Sequence, residues 1–312
     1  MTESYRVEDL VKVYKVPGKP PVYANNGVNL VVPSGIVFGI FGPNGAGKTT
    51  LIRQIVGLLW PTRGRIYLHG VDVVQHPDVI PRQVGYYGQR LVYFWTLSAI
   101  ELLVFTGRLR GMTDKAAKAQ ADELISRVGL DHKASRLLAT FSGGEIRVVS
   151  VLTSLMGNPP VVVLDEPTAE LDPVMRQNIW NLLFAVNKQF GTTIILVTHN
   201  VLEAEQVVDR VAVIDEGRVV AEGTPSELRA SIADKSRVEV RLRVPEAPGI
   251  LLTGAWTEMR RGVFSCTVPR SEVSSLLHAI TGELDPKAVE DVRVVNPTLE
   301  DYYVTVVGKQ WQ

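Results

Sequence analysis

The chain has 312 residues, 46% of them apolar, and its 33 basic and 33 acidic side chains balance to a formal net charge of +0, which gives no basic face for a nucleic-acid partner. A single cysteine, Cys266, excludes an internal disulfide and a thiolate metal cluster, and reads as a small buried hydrophobe. The longest apolar run, Val28 to Phe41, is broken by Pro33, Ser34 and Gly35, short of the roughly 18 to 20 residues of a membrane span, and the polar Met1–Asp9 stretch is not an apolar leader, so a soluble chain is expected.

Strand-like and helix-like segments alternate through the first two-thirds, which predicts an α/β architecture with a largely parallel sheet. Val37–Phe41 reads as a short buried strand, then come a glycine-rich turn and a helix from about Lys48. The stretch from about residue 90 to 155 is mainly helical, with Ala99–Arg110 and Lys115–Val128 as its clearest helices, and reads as an insertion in the sheet domain. Val161–Leu164, Thr193–Val197 and Arg210–Ile214 are further strands, the first apolar on both faces as in a covered parallel sheet.

After Gly223 the pattern changes. Pro225–Ile232 predicts a short helix, Arg237–Val244 a half-exposed strand, Gly262–Val268 a strand, Ser271–Ile280 a helix and Val292–Val295 a strand, with a closing helix from Thr298. The expected division is a domain over 1–229 and a small α+β domain over 230–312.

Gly42-Pro43-Asn44-Gly45-Ala46-Gly47-Lys48-Thr49 fits the phosphate-loop pattern and lies between an apolar strand and a helix, with Thr50 next in the binding set. Its glycines let backbone N–H groups converge on phosphate oxygens, and the helix adds its positive end. Lys48 would meet the β- and γ-phosphates, and the Thr49 hydroxyl can ligate Mg²⁺. The strand Val161–Leu164 runs into Asp165-Glu166. An aspartate there helps hold Mg²⁺, and Glu166, just past the sheet edge, is positioned to take a proton from the attacking water.

On these residues rests a family resemblance that spans about residues 5 to 225. Ser142-Gly143-Gly144-Glu145 resembles the signature motif of ATP-binding-cassette proteins, and Gln89, in Gly85-Tyr86-Tyr87-Gly88-Gln89, resembles their Q-loop glutamine. Leu171-Asp172 resembles the D-loop, His199 the switch histidine, and Tyr14 the aromatic residue that stacks on adenine. The resemblance implies a P-loop cassette that hydrolyses ATP with Mg²⁺ held by Thr49, Gln89 and Asp165, and with Glu166 and His199 as the catalytic pair. It also implies that the serine-glycine turn of one chain completes the ATP site of another. The chain departs from the family pattern at Phe141, usually leucine; Glu145, often glutamine; Arg147, one place early with Val148 following; and Gly88, often proline.

Asn296-Pro297-Thr298-Leu299-Glu300-Asp301-Tyr302-Tyr303 resembles the ending of an exporter branch in which ATPase and permease are separate chains. That implies a homodimer or heterodimer of ATPase subunits at the cytoplasmic face of the cell membrane, held there by an integral permease. The aromatic run Tyr93-Phe94-Trp95 is a candidate permease contact, with packing inside the helical insertion as the equal alternative. The rival reading is a non-transport cassette ATPase of DNA repair or translation. The cargo is not written in this chain.

Overall fold

Strand β1 (Glu3–Tyr14) pairs antiparallel with β2 (Val22–Pro33), which leads to β3 (Val37–Phe41) and helix α1 (Lys48–Ile55). The computed structural model describes residues 2–15, 17–88, 94–198, 201–232, 234–243, 256–284, 287–295 and 298–308. After α1 the chain returns as β4 (Arg63–Leu68) and β5 (Val71–Asp72), completing a four-stranded antiparallel sheet in the order β2-β1-β4-β5. Helix α2 (Val79–Gln83) and strand β6 (Val84–Tyr87) follow, then helices α3 (Ala99–Leu109), α4 (Asp114–Arg127) and α5 (Gly143–Leu155).

The remainder of this unit alternates as β7 (Val161–Asp165), α6 (Pro173–Phe190), β8 (Thr193–Val197), α7 (Val201–Ala204), β9 (Arg210–Asp215) and β10 (Arg218–Gly223). A second sheet results, in the order β10-β9-β3-β8-β7-β6. All its pairings are parallel except β10 with β9. The parallel sheet expected from the apolar strands is therefore present. The antiparallel sheet beside it was not part of that expectation.

Local chemistry explains the elements. Strands β3, β7 and β8 are buried at every position, the condition for a parallel sheet covered on both faces. Helices α3 and α5 begin with reciprocal serine–glutamate capping boxes, at Ser98–Glu101 and Ser142–Glu145. Asp172 caps α6 and Pro173 opens it, while Gly191, at φ 65°, ends it in the left-handed conformation. The core runs between the sheets through Leu10, Leu30, Phe38, Leu51, Ile66 and Ile195, all nearly inaccessible. Burial of each such side chain contributes roughly 1.5–3 kcal/mol.

The chain divides into two compact units, 1–224 and 225–312. The second starts with α8 (Pro225–Ala230) and has strands β11 (Lys235–Leu242), β12 (Thr257–Arg260), β13 (Val263–Pro269) and β14 (Val289–Val295). These form an antiparallel sheet in the order β12-β13-β11-β14. Helix α9 (Val273–Glu283) precedes β14, and α10 (Leu299–Val307) follows it. The strict alternation of burial along β11 directs Val238, Val240 and Leu242 into a core with Phe264, Ile280 and Leu284. Cys266 is buried. Arg237 on β11 bonds Asp301 at 3.1 Å, and Asp301 in turn accepts from the Thr298 N–H and hydroxyl, both at 2.7 Å. The Thr298–Asp301 part of the terminal motif is thus the cap of α10; Asn296 and Pro297 lie outside the described residues.

Candidate functional site

The phosphate loop occupies the turn between β3 and α1, where the sequence puts its glycines. A Cβ on Gly42 would lie 2.2 Å from the Ile214 carbonyl oxygen, so only glycine lets the loop leave the sheet this close to β9. At Gly47, with φ 100°, a Cβ would sit 2.0 Å from the Ala24 carbonyl of β2. Asn44 and Gly45 are exposed and Pro43 half-buried, with Ala46 turned into the core. Ala46 N–H donates to Pro43 O at 3.2 Å, closing the turn. Thr49 and Thr50, partly buried, open α1 behind Lys48.

Lys48 is buried, and its Nζ donates to Gly42 O at 2.7 Å and Pro43 O at 2.9 Å. An ammonium has three donors, so one remains for a phosphate oxygen. Burial lowers the Lys48 pKa, and the neighbouring Glu166 and Asp165 oppose that shift. Asp165 ends β7 at 2% exposure, and its pKa is raised to about 6, first by burial and then by the adjacent Glu166 charge. Lys48, Arg53 and a hydrogen bond from the Thr49 side chain pull it the other way.

A magnesium ion fits this arrangement. Asp165 Oδ2 is buried without a hydrogen-bond partner among the described residues, beside the Thr49 hydroxyl. Hard oxygen donors of this kind, one or two from protein and the rest from phosphate and water, are what Mg²⁺ takes. No group of three or more histidine, cysteine or acidic side chains that could hold a metal ion occurs among the described residues.

Glu166 follows Asp165 with φ 56°, a left-handed conformation that non-glycine residues seldom adopt. Its N–H donates to Val197 O at 2.8 Å, and its Oε2 accepts from the buried Thr198 hydroxyl at 3.1 Å. The end of β8 thus fixes the carboxylate at the sheet edge. Gln89 and His199 lie outside the described residues.

The signature turn is at the start of α5. Ser142 and Gly143 are exposed, and Glu145 is buried behind them. Ser142 Oγ accepts from Glu145 N–H at 3.3 Å, and Glu145 Oε2 accepts from Ser142 N–H at 2.8 Å. Gly144 faces Leu171 and Met175, where a Cβ would meet them at ordinary contact distances of 3.5 and 3.6 Å. Asp172 is engaged as a cap, its Oδ1 accepting from Val174 N–H at 2.9 Å and Met175 N–H at 3.0 Å. Arg147 reaches both the strand before Gln89 and the loop before Asp172. It donates to the Tyr87 hydroxyl at 3.1 Å and bonds Glu170 at 2.8 Å.

Tyr14 stands at the end of β1, exposed, paired in register with Val22, and with Lys12 Nζ 5.6 Å from its ring centre. Phe94, Trp95 and Phe105 are also exposed. Phe94 and Phe105, with Leu97, Ile100 and Val104, line an apolar groove of about 620 Å³.

The sequence reading missed two supporting side chains. Asn25, fully buried on β2, donates to Gly47 O at 3.2 Å and accepts from Gln54 Nε2 at 2.6 Å. Asn25 is one of three asparagines in this strand, with Asn26 and Asn29, and no local signal marks it as the buried one. Lys133, which bonds Glu145, has no motif of its own.

No described helix is long and apolar enough to cross a membrane. Residues 25–169 match the ABC transporter family. The chain is 41% identical to the daunorubicin/doxorubicin resistance ATP-binding protein DrrA of Streptomyces peucetius over 246 residues, 79% of this chain and 72% of that protein. It is 36% identical over 292 residues to the daunorubicin resistance ATP-binding protein DrrA3 of Streptomyces coeruleorubidus, covering 91% of each. A dimeric ATP-binding cassette solved in a post-hydrolysis state with ADP and phosphate aligns with TM-score 0.65 and 26% identity, over 70% of this chain and 98% of that one. These likenesses favour transport over the repair and translation ATPases. They join the phosphate loop and its carboxylates to one conclusion: the chain belongs to the ABC transporter family, as an ATP-hydrolysing subunit whose turnover drives transport.

Proposed function

We propose that this chain binds ATP with Mg²⁺ on its phosphate loop and hydrolyses it with Glu166 as the general base, powering export through a separate permease. The observation that carries the reading is the meeting of Lys48, Thr49, Asp165 and Glu166 at one edge of the sheet, with Glu166 held in a left-handed backbone by the end of β8. Gly42 to Thr50 cradle the phosphates, and Lys48 offers its remaining donor to the γ-phosphate side. Thr49, Asp165 and Gln89 would hold Mg²⁺, which when bound draws charge from the phosphate bond that breaks. The Glu166 carboxylate takes the proton of the attacking water while Thr198 fixes its orientation. His199 would complete the catalytic pair, and Tyr14 would stack on the adenine.

The exposed Ser142-Gly143-Gly144 turn serves the ATP of a second ATPase subunit, with Glu145 behind it and Asp172 at the facing loop. The solved relative named as dimeric supports this arrangement. The relatives named for daunorubicin and doxorubicin resistance support the export direction. The permease would bring the chain to the cytoplasmic face of the membrane, and the exposed Trp95, with the apolar groove lined by Phe94 and Phe105, offers it a docking surface.

The test is co-purification of a tagged Glu166→Gln chain from detergent-solubilised native membranes with ATP and Mg²⁺. Recovery of a multi-spanning protein, reduced by Trp95→Ala, supports the reading and identifies the permease. Recovery of ribosomes, DNA or a soluble dimer alone overturns it.

A further inference from the structure

The signature turn departs from its family pattern at Phe141 and Glu145, and both side chains face the same ammonium. Lys133 Nζ lies 2.5 Å from Glu145 Oε1 and 5.7 Å from the Phe141 ring centre. The pair is well covered, with side-chain exposures of 23% for Lys133 and 9% for Glu145. Lys133 comes from the short turn Asp131–Lys133, outside the helix that Glu145 caps.

Two roles for Glu145 can be separated by comparing the chain's two capping boxes. At α3, Glu101 closes the same motif by accepting from Ser98 N–H at 2.8 Å, and it makes no ion pair among the described residues. A solvent-exposed cap carboxylate therefore does not require a cation. The two boxes differ in burial, Glu101 being exposed and Glu145 buried, and in that Ser142 and Gly143 are exposed at α5, on the face assigned above to a partner's triphosphate, with the carboxylate just behind them. That carboxylate opposes the positive end of α5 and would repel phosphate oxygens. Burial by itself raises the Glu145 pKa, but the hydrogen bonds from Lys133 and Ser142 outweigh it and hold the group below its ordinary value, so the charge is present at neutral pH.

We infer that Lys133 is a positioning and charge-compensating residue of the ATP site: by pairing with Glu145 against Phe141, it cancels the carboxylate and keeps the Ser142–Gly144 turn able to accept the triphosphate held by a second subunit. The inference rests on the two-subunit reading proposed above. Lys133 touches neither nucleotide nor metal. It acts through Glu145, and its effect is confined to the step in which two subunits close on ATP. Binding of ATP to the phosphate loop of a single subunit does not use this turn and is independent of the pair.

The experiment uses the full chain in a Glu166→Gln background, with Mg²⁺-ATP titrated and dimerisation followed by sedimentation velocity. Binding of ATP to single subunits is measured in parallel at low protein concentration, together with the melting temperature of each variant. Lys133→Met is expected to raise the ATP concentration for half-maximal dimerisation about tenfold, the scale of one uncompensated charge near a protein surface. Single-subunit affinity should stay unchanged. Glu145→Gln combined with Lys133→Met should return the midpoint to within about threefold of the background, because no charge is left to compensate. A purely structural role predicts the reverse, with the double variant no better than Lys133→Met and both tracking the fall in melting temperature. That result, or an unaltered midpoint in Lys133→Met, overturns the inference. If the background chain itself stays monomeric at saturating ATP, the two-subunit site is wrong and the role of Lys133 falls with it.

Discussion

The amide of Asn25 donates to the carbonyl of Gly47 across the gap between the antiparallel sheet and the phosphate loop, at 3.2 Å. The oxygen of that amide accepts from Gln54 in the last turn of α1, so one buried side chain ties β2 to both the loop and the helix that follows it. Asn25→Leu leaves Gly47 O and the Gln54 amide without this partner. It is expected to cost about 1–3 kcal/mol of stability and to weaken ATP binding. Gly47→Ala is expected to abolish ATP binding, because its Cβ would collide with the Ala24 carbonyl. Equilibrium binding of a fluorescent ATP analogue and urea unfolding of the two variants test both statements.

Glu166 and Thr198 give a paired kinetic prediction. Glu166→Gln should retain ATP and lose turnover by a factor of about 10² to 10⁴, the usual worth of a general base. Thr198→Val keeps the carboxylate and removes the hydroxyl that orients it. It should lower kcat by a smaller factor, about tenfold, with KM little changed. Phosphate release under saturating Mg²⁺-ATP reads both, and near-normal turnover in Glu166→Gln would remove it from the role of base.

Removal of Mg²⁺ should stop hydrolysis. In Asp165→Asn the buried Oδ2 position loses its charge, so the Mg²⁺ concentration for half-maximal rate should rise at least about tenfold. A rate independent of Mg²⁺, or an Asp165→Asn titration that overlays the parent, would show that the ion is held elsewhere.

In the second unit, Arg237 and Asp301 are paired with side-chain exposures of only 15% and 10%. Asp301→Ala removes the ion pair and the carboxylate half of the α10 capping box, while the Thr298 hydroxyl still accepts the N–H of residue 301 and the guanidinium keeps Glu239 in contact and Glu300 nearby. The expected loss is about 1–3 kcal/mol, read as faster proteolysis within residues 235–308. Cleavage at the parent rate would show that α10 is held by its apolar contacts alone.

Much of this was legible in the sequence because it depends on local pattern. The phosphate loop, the strands Val161–Asp165 and Thr193–Val197, and the alternating strand Lys235–Leu242 announce themselves through glycine spacing, continuous apolarity or strict period two. The antiparallel sheet did not, for a physical reason. Pairing of β1 with β2 slips between Val7 and Leu10 and again between Lys12 and Val13, and Asp9 has φ 45°. Such irregularities break the alternation on which a strand is read. Asn25 and Lys133 were illegible for another reason. Their partners Gly47 and Glu145 lie 22 and 12 residues away, beyond any helix or strand period, and no local spacing encodes either contact.

The phosphate loop is also pinned from the far end of its unit. Asn26 N–H donates to Gly217 O at 2.8 Å, and Gly217 N–H donates to Ala46 O at 2.9 Å, so the turn between β9 and β10 is stitched to both β2 and the loop. The loop is written within the first 50 residues yet receives one strut from a residue near the close of the unit, which is itself tied to β2. During synthesis, the hydrogen bonding around the loop is therefore complete only once the turn before β10 has been made. Chains arrested on the ribosome short of Gly217 should fail to retain ATP, and chains long enough to expose β10 should retain it.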